Sequence, residues 1–117
     1  MTEKDKLLAS IEFLRRIGAK QVQLRYSDDE EPDIWIVVAK FNGKNRLRID
    51  GVEIEASTTP ERAGIRLCER LVDGTKCHYC KKSVALEADS LARMPFDQNI
   101  CWYQYDPELK KFRRGCE

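Results

Sequence analysis

The chain has 117 residues, of which 42% are hydrophobic and 35% are charged, a composition that suits a globular protein. Its 21 basic and 20 acidic residues leave a net charge of +1, which argues against a protein that holds nucleic acid mainly by neutralising phosphates. No apolar run approaches the roughly 20 residues of a membrane-spanning helix, and the first residues lack a signal-peptide core, so we expect a soluble cytoplasmic protein with no membrane partner.

The first part of the chain predicts a helix followed by a β-meander. The helix covers residues 2–17, because apolar side chains recur at helical spacing on one face, at Leu7, Leu8, Ile11, Leu14 and Ile17. Alternating polar and apolar residues then predict strands over 21–27, 46–49 and 52–56, and the apolar run 34–41 predicts a further strand. Asp50-Gly51 is a favoured two-residue hairpin connection between the last two strands. The strand 34–41 is apolar on both faces, so we expect it in the centre of the sheet with packing on each side.

A second helix is expected from Pro60 to about Val72, since Thr58-Thr59-Pro60-Glu61 combines a cap, an early proline and an early acid. The fold class is therefore α+β: helix, three- to four-stranded antiparallel meander, helix, then a small module like a zinc ribbon or zinc knuckle. We divide the chain into an α+β domain, residues 1–74, and a zinc-binding hairpin module, residues 75–117, packed on it. Residues 86–96 mix short-helix and loop signals, with Met94 and Phe96 as candidates for core filling or for an exposed apolar anchor.

Four cysteines near the end of the chain have the spacing of metal ligands. Cys77 and Cys80 form a Cys-x-x-Cys step, which can wrap two thiolates around one tetrahedral ion. Asp106-Pro107-Glu108 predicts a turn between strands over 102–105 and 110–113. Folding the chain about this turn brings Cys101 opposite Cys116, so one knuckle and one hairpin supply four sulfurs.

We therefore predict a structural Zn²⁺ ion held by Cys77, Cys80, Cys101 and Cys116. Three alternatives stay open: His78 in place of one sulfur, iron–sulfur ligation, and a redox disulfide between Cys77 and Cys80. The fifth cysteine, Cys68, lies among apolar residues of the second helix and is expected in the core. Four thiolates leave no open position on the ion, and the chain has no nucleophile motif, glycine-rich phosphate loop or paired carboxylates. We expect neither enzymatic activity nor a small-molecule substrate.

The predicted hairpin also carries aromatic and basic side chains that suit a partner-binding surface. They are Trp102, Tyr103, Tyr105, Lys110, Lys111, Arg113 and Arg114. Aromatic rings interleaved with cations are used by proteins that bind single-stranded nucleic acid, and Trp, Tyr and Arg are enriched at protein–protein hot spots. The third interpretation is that the rings pack on the knuckle and the charges are only solvated.

The C-terminal sequence resembles small proteins of actinobacteriophages, including mycobacteriophages. The resemblance rests on Cys77-His78-Tyr79-Cys80, on residues 101–108 and on residues 112–117, and it covers mainly residues 60–117. It implies a zinc-binding phage product that acts in the cytoplasm of a bacterial host, and it implies no reaction and no catalytic residue. The leading hypothesis is a non-enzymatic, zinc-stabilised protein that binds a host or phage protein through the hairpin. The alternative is an accessory or regulatory factor that binds nucleic acid.

Overall fold

A computed structural model of the protein describes residues 3–29, 33–45, 47–87 and 99–116. The elements are α1 (Glu3–Arg16), β1 (Gln21–Ser27), β2 (Ile34–Asn42), β3 (Asp50–Ser57), α2 (Pro60–Val72), β4 (Ser83–Glu87), β5 (Ile100–Asp106) and β6 (Lys111–Arg113). Helix, three-stranded antiparallel meander, helix and a small C-terminal sheet follow one another, so the predicted α+β fold class is confirmed. None of the helices in these ranges is both long and apolar enough to cross a bilayer.

The meander is a sheet of order β1-β2-β3 with β2 in the centre, as predicted. The predicted strand over residues 46–49 is wrong for the residues described there, because 47–49 form a loop and β2 pairs directly with β3 from Asn42 and Asp50 onward. The Asn45 side chain closes this loop: its amide nitrogen donates to the Ile49 carbonyl at 2.8 Å and its oxygen accepts from the Ile49 N–H at 3.0 Å. Asp50-Gly51 therefore begins β3 and is not the turn.

The meander buries one face more completely than the other. Val37 and Ala39 of β2 lie on the buried face within the hydrophobic core. The opposite face carries Val52 and Ile54 of β3, which are 53% and 54% exposed. Val38 of β2 lies on this same face and is only 4% exposed, so the second face is buried at the central strand, as predicted, and exposed at β3.

Helix α1 buries a face that overlaps the predicted one but is rotated from it, since Leu14 is buried as predicted and Ile17 packs against the core. Ala9, Phe13 and Leu14 are buried, whereas Leu8, which was expected in the core, is 51% exposed. The two helices approach closely where Gly64 of α2 meets Ser10 of α1, since a Cβ atom at Gly64 would collide with the Ser10 hydroxyl oxygen. That hydroxyl donates to the Leu7 carbonyl at 2.7 Å, which allows the serine to be buried.

The second sheet has the order β4-β5-β6, with β4 parallel to β5 and β6 antiparallel to it. Strand β4 was not predicted, and it takes in Leu86 and Glu87 from the start of the segment read as short helix or loop. Residues 88–98, with Met94 and Phe96, lie outside the described residues.

The hairpin of β5 and β6 is confirmed. Its turn depends on Asp106, whose carboxylate accepts hydrogen bonds from the Glu108 and Leu109 N–H groups at 2.9 and 3.2 Å. These backbone donors, with Arg113, lower the pKa of the Asp106 carboxyl.

A single apolar cluster joins the helices to the second sheet. The Phe13 ring contacts Tyr103 and Phe112 edge to face, with both centroid distances 5.8 Å. Leu86 and Tyr105 belong to the same buried cluster as Val37 of the meander. The division into domains of residues 1–74 and 75–117 stays a prediction.

Replacing Phe13 by alanine should lower the free energy of unfolding by about 3–5 kcal/mol, because it removes a buried ring that connects α1 to the second sheet. The matched control is Leu8→Ala on the same helix, which should cost about 0.5 kcal/mol or less. Urea unfolding of the two variants checks this. A Phe13→Ala protein as stable as Leu8→Ala would contradict the assignment of the buried face.

Candidate metal centre

The first two sulfurs lie in a tight turn that we call the knuckle, residues 76–83. Lys76 and Ser83 pair as an antiparallel bridge, and the Cys77 N–H donates to the Lys82 carbonyl at 2.6 Å. The Lys81 N–H donates back to the Cys77 carbonyl at 3.0 Å, and Lys81 itself has a positive φ of 66°. The turn therefore curls the chain so that the Cys77 and Cys80 side chains point to the same side.

The other two sulfurs come from the hairpin. Cys101 is buried on the inner face of β5, and the hairpin register, with Gln104 opposite Arg113, places Cys116 opposite Cys101 when it is continued. Gly115 makes this continuation possible, because a Cβ atom there would collide with the Trp102 carbonyl oxygen. Only glycine lets the end of the chain run this close to β5, a requirement that local sequence patterns did not reveal.

The structure brings the four predicted ligands together. The sulfur atoms of Cys77, Cys80, Cys101 and Cys116 all lie within 4.8 Å of one another and can hold a metal ion. The Cys77 and Cys116 sulfurs are 3.8 Å apart. Metal–sulfur bonds of about 2.3 Å in a tetrahedron place sulfurs about 3.8 Å apart, so the cluster has the size that one zinc-like ion requires.

The sulfurs differ in how readily they lose a proton. Burial raises the pKa of Cys77, but the N–H groups of Cys80 and Tyr79 outweigh it and lower the value to about 6. Burial and the neighbouring sulfurs raise the pKa of Cys101 to about 12. One thiolate therefore forms easily, while four together need a cation to balance their charge.

The alternatives for the cluster can now be compared with the geometry. The His78 ring is exposed, packs edge to face on Tyr79 and does not belong to the four-residue cluster. All five cysteines are free, so Cys77 and Cys80 are not joined by a disulfide in this structure. An iron–sulfur cluster places several atoms between its cysteines, so the short sulfur separations suit a single ion better.

Cys68 is separate from this cluster, as expected. It is fully buried in α2, and its sulfur contacts the Ser10 carbonyl oxygen at 3.4 Å. Burial raises its pKa well above the usual range, so it stays a neutral thiol within the core.

Tyr103 has a place beside the cluster that the sequence did not indicate. It lies two residues after Cys101 on the same face of β5, and its side chain is close enough to Cys77 for the two groups to interact. Burial, then negative charge at Cys77 and Cys101, raises the pKa of Tyr103 to about 12, so the hydroxyl keeps its proton and can act as a hydrogen-bond donor towards the Cys77 sulfur. Side chains alternate along a strand, so residues 101 and 103 lie on the same face, and this sequence signal could have predicted that Tyr103 lies beside the cluster.

The hairpin residues predicted to bind a partner do not share one surface. Tyr105 is 6% exposed and packs on Phe112, so its ring belongs to the core. Tyr103 and Trp102 are half-buried. The cations are exposed or half-buried, and two of them form ion pairs, Lys110 with Asp5 at 3.7 Å and Arg113 with Asp106 at 3.2 Å. The Arg114 guanidinium lies 3.6 Å above the centre of the Tyr79 ring.

Comparisons of the chain with protein-family models, with curated proteins and with solved structures find no match.

Replacing Cys101 by alanine should abolish stable metal binding and lower the thermal stability of the C-terminal part, because three sulfurs cannot saturate a tetrahedral ion. Cys68→Ala is the matched control and should keep its metal, since this cysteine is outside the cluster. Elemental analysis and thermal unfolding measure both effects. Equal metal content in the two variants would contradict the assigned ligand set.

Removing the Tyr103 hydroxyl should weaken metal binding about tenfold, which is the usual effect of losing a hydrogen bond to a metal ligand. Tyr103→Phe is compared with Tyr79→Phe, whose side chain is 62% exposed and should leave the affinity unchanged. Competition with a chromophoric chelator gives both affinities. If the two variants bind metal equally well, the hydroxyl has no role at the site.

Proposed function

We propose that this chain is a non-enzymatic protein, stabilised by a structural zinc ion, that binds a host or phage protein through its C-terminal hairpin. The proposal rests on the four cysteine sulfurs within 4.8 Å of one another. Thiolates in a tetrahedron favour zinc over metals that prefer oxygen ligands or octahedral sites. Four of them leave no position for water or substrate, which supports a structural role over catalysis.

The exposed side chains of the hairpin support the binding role. Trp102 and Arg113 share a face of the second sheet, since both alternate with the inward residues Tyr103 and Phe112. Trp102 is half-buried, and its buried indole N–H has no hydrogen-bond partner among the described residues. A partly exposed tryptophan on the same face as an arginine has the composition found at protein–protein hot spots.

Nucleic acid is the second candidate partner. The cations of the hairpin favour it, because phosphates are bound by lysine and arginine. The net charge of +1 favours a protein partner instead. The resemblance of the C-terminal sequence to actinobacteriophage proteins supports the further proposal that the chain acts in the cytoplasm of a phage-infected bacterium.

Elemental analysis of protein purified without added metal should find about one zinc ion per chain. The zinc-loaded protein should then capture a partner from host lysate, and Trp102→Ala/Arg113→Ala should lose that capture while it keeps its metal. The matched control is Tyr26→Ala/Arg25→Ala, an exposed aromatic and basic pair on β1.

Three results would change the proposal. A metal-free protein of unchanged thermal stability would refute the structural zinc ion. Equal capture by both double variants would refute the hairpin as the binding surface. Salt-sensitive binding to DNA or RNA that only the Trp102/Arg113 variant loses would establish the nucleic-acid alternative.

A further inference from the structure

A cleft opens beside the metal centre, between the end of α1, the knuckle and β6. It has two adjoining lobes of about 430 and 610 Å³, which share Arg16, Tyr79 and Tyr103 in their walls. Six basic side chains line the two lobes: Arg16, Lys44, Lys76, Lys111, Arg113 and Arg114. Among the described residues that line them, none is an aspartate or glutamate.

This excess of basic side chains is a local property of the cleft, since the whole chain is nearly neutral. The groove between α2 and β3, by contrast, mixes both signs, with Glu55, Glu69 and Asp73 beside Arg66 and Arg70. There Arg70 is paired with Glu53 and Glu55 at 3.0 and 3.2 Å. Acidic side chains thus balance the cations of that groove. In the cleft, two of the six cations are also paired, Arg16 with Glu12 at 2.8 Å and Arg113 with Asp106 at 3.2 Å, but neither of these carboxylates lines the cleft.

Three of the cleft cations are available to a ligand. Lys44, Lys76 and Lys111 are exposed, and no carboxylate of a described residue forms an ion pair with them. They come from the loop after β2, the knuckle and β6, so their fields add only because the fold brings these segments together. A concave surface of one charge sign concentrates ligands of the opposite sign.

The aromatic rings of the cleft are already engaged. The Tyr79 ring face is covered by the Arg114 guanidinium at 3.6 Å, and the Tyr103 ring packs against Phe13. Single-stranded nucleic acids are held largely by bases stacked on free aromatic faces. The cleft therefore offers cations and hydrogen-bond donors, with few free ring faces, which suits carboxylates better than bases.

We propose that the cleft binds an acidic peptide segment of the partner protein, an inference that rests on the proposed function and specifies the chemistry of that partner. Lobes of this size accommodate several side chains of an extended segment. Cys77, His78 and Tyr79 form one wall, so the metal ion that orders the knuckle also shapes the cleft. Binding of the acidic segment is consequently dependent on the metal.

The test uses the zinc-loaded full chain and a fluorescently labelled oligoglutamate peptide, with binding followed by anisotropy. Lys44→Glu and Lys111→Glu, one in each lobe, should each weaken binding about fivefold, because each replaces an attraction at the rim by a repulsion. Lys40→Glu is the matched control: it is equally exposed, does not line the cleft, and should leave binding unchanged. Removing zinc with a chelator should abolish binding.

The outcomes separate this inference from the proposed function. If zinc-loaded protein does not bind oligoglutamate, or binds it equally well after Lys44→Glu and Lys111→Glu, the cleft is not a site for acidic peptides. The proposal of a zinc-stabilised protein that binds through its hairpin would be unaffected by that result. If a single-stranded oligonucleotide binds more tightly than oligoglutamate in the same anisotropy assay, the ligand of the cleft is a phosphodiester chain and not an acidic peptide. Unchanged peptide binding after zinc removal would refute the metal dependence of the cleft, whereas the structural zinc ion itself is tested by the thermal stability of the metal-free protein.

Discussion

The close approach of four cysteine sulfurs, within 4.8 Å of one another, is the constraint on which the C-terminal part of this protein depends. Burial is outweighed at Cys77 by hydrogen bonds from backbone N–H groups and neighbouring sulfurs, which lower the pKa of Cys77 to about 6, whereas burial and the neighbouring sulfurs raise that of Cys101 to about 12. Four thiolates this close would repel one another, so a cation between them would both balance their charge and cross-link the knuckle, β5 and the end of the chain. In zinc-finger peptides, binding of such an ion contributes on the order of 10 kcal/mol to folding.

The hydrophobic core and the metal centre support each other because they share β5. The inner face of this strand carries Cys101, then Tyr103, then Tyr105, so it passes from the sulfur cluster to the core within five residues of chain. Phe13 packs against Tyr103 and so connects α1 to the strand that supplies a ligand. Tyr103 belongs to both systems, because its ring packs among apolar residues and the charge of Cys77 and Cys101 raises the pKa of its hydroxyl.

Charge is distributed unevenly over the surface. Although the net charge is only +1, six basic side chains line the cleft next to the metal centre, and residues of both signs line the groove between α2 and β3. One wall of the cleft is the knuckle, which carries two of the four clustered cysteines. An ion held by these cysteines would therefore also fix the position of that wall.

Local patterns in the sequence were enough to predict the two helices, β1, the central position of β2, the hairpin and the four clustered cysteines. Periods of 3.6 and two residues are local properties, and the turn at Asp106 sets the register that brings Cys101 and Cys116 together. The tertiary structure alone decided which face of α1 is buried, the parallel pairing of β4 with β5, and the inward position of Tyr105. It also determined the basic lining of the cleft. The cations that form this lining are far apart in sequence and lie at exposed positions with no periodic pattern, as Arg16, Lys44, Lys76 and Lys111 do. Such features depend on which faces meet when the elements pack, and a pattern read along one element does not contain that information.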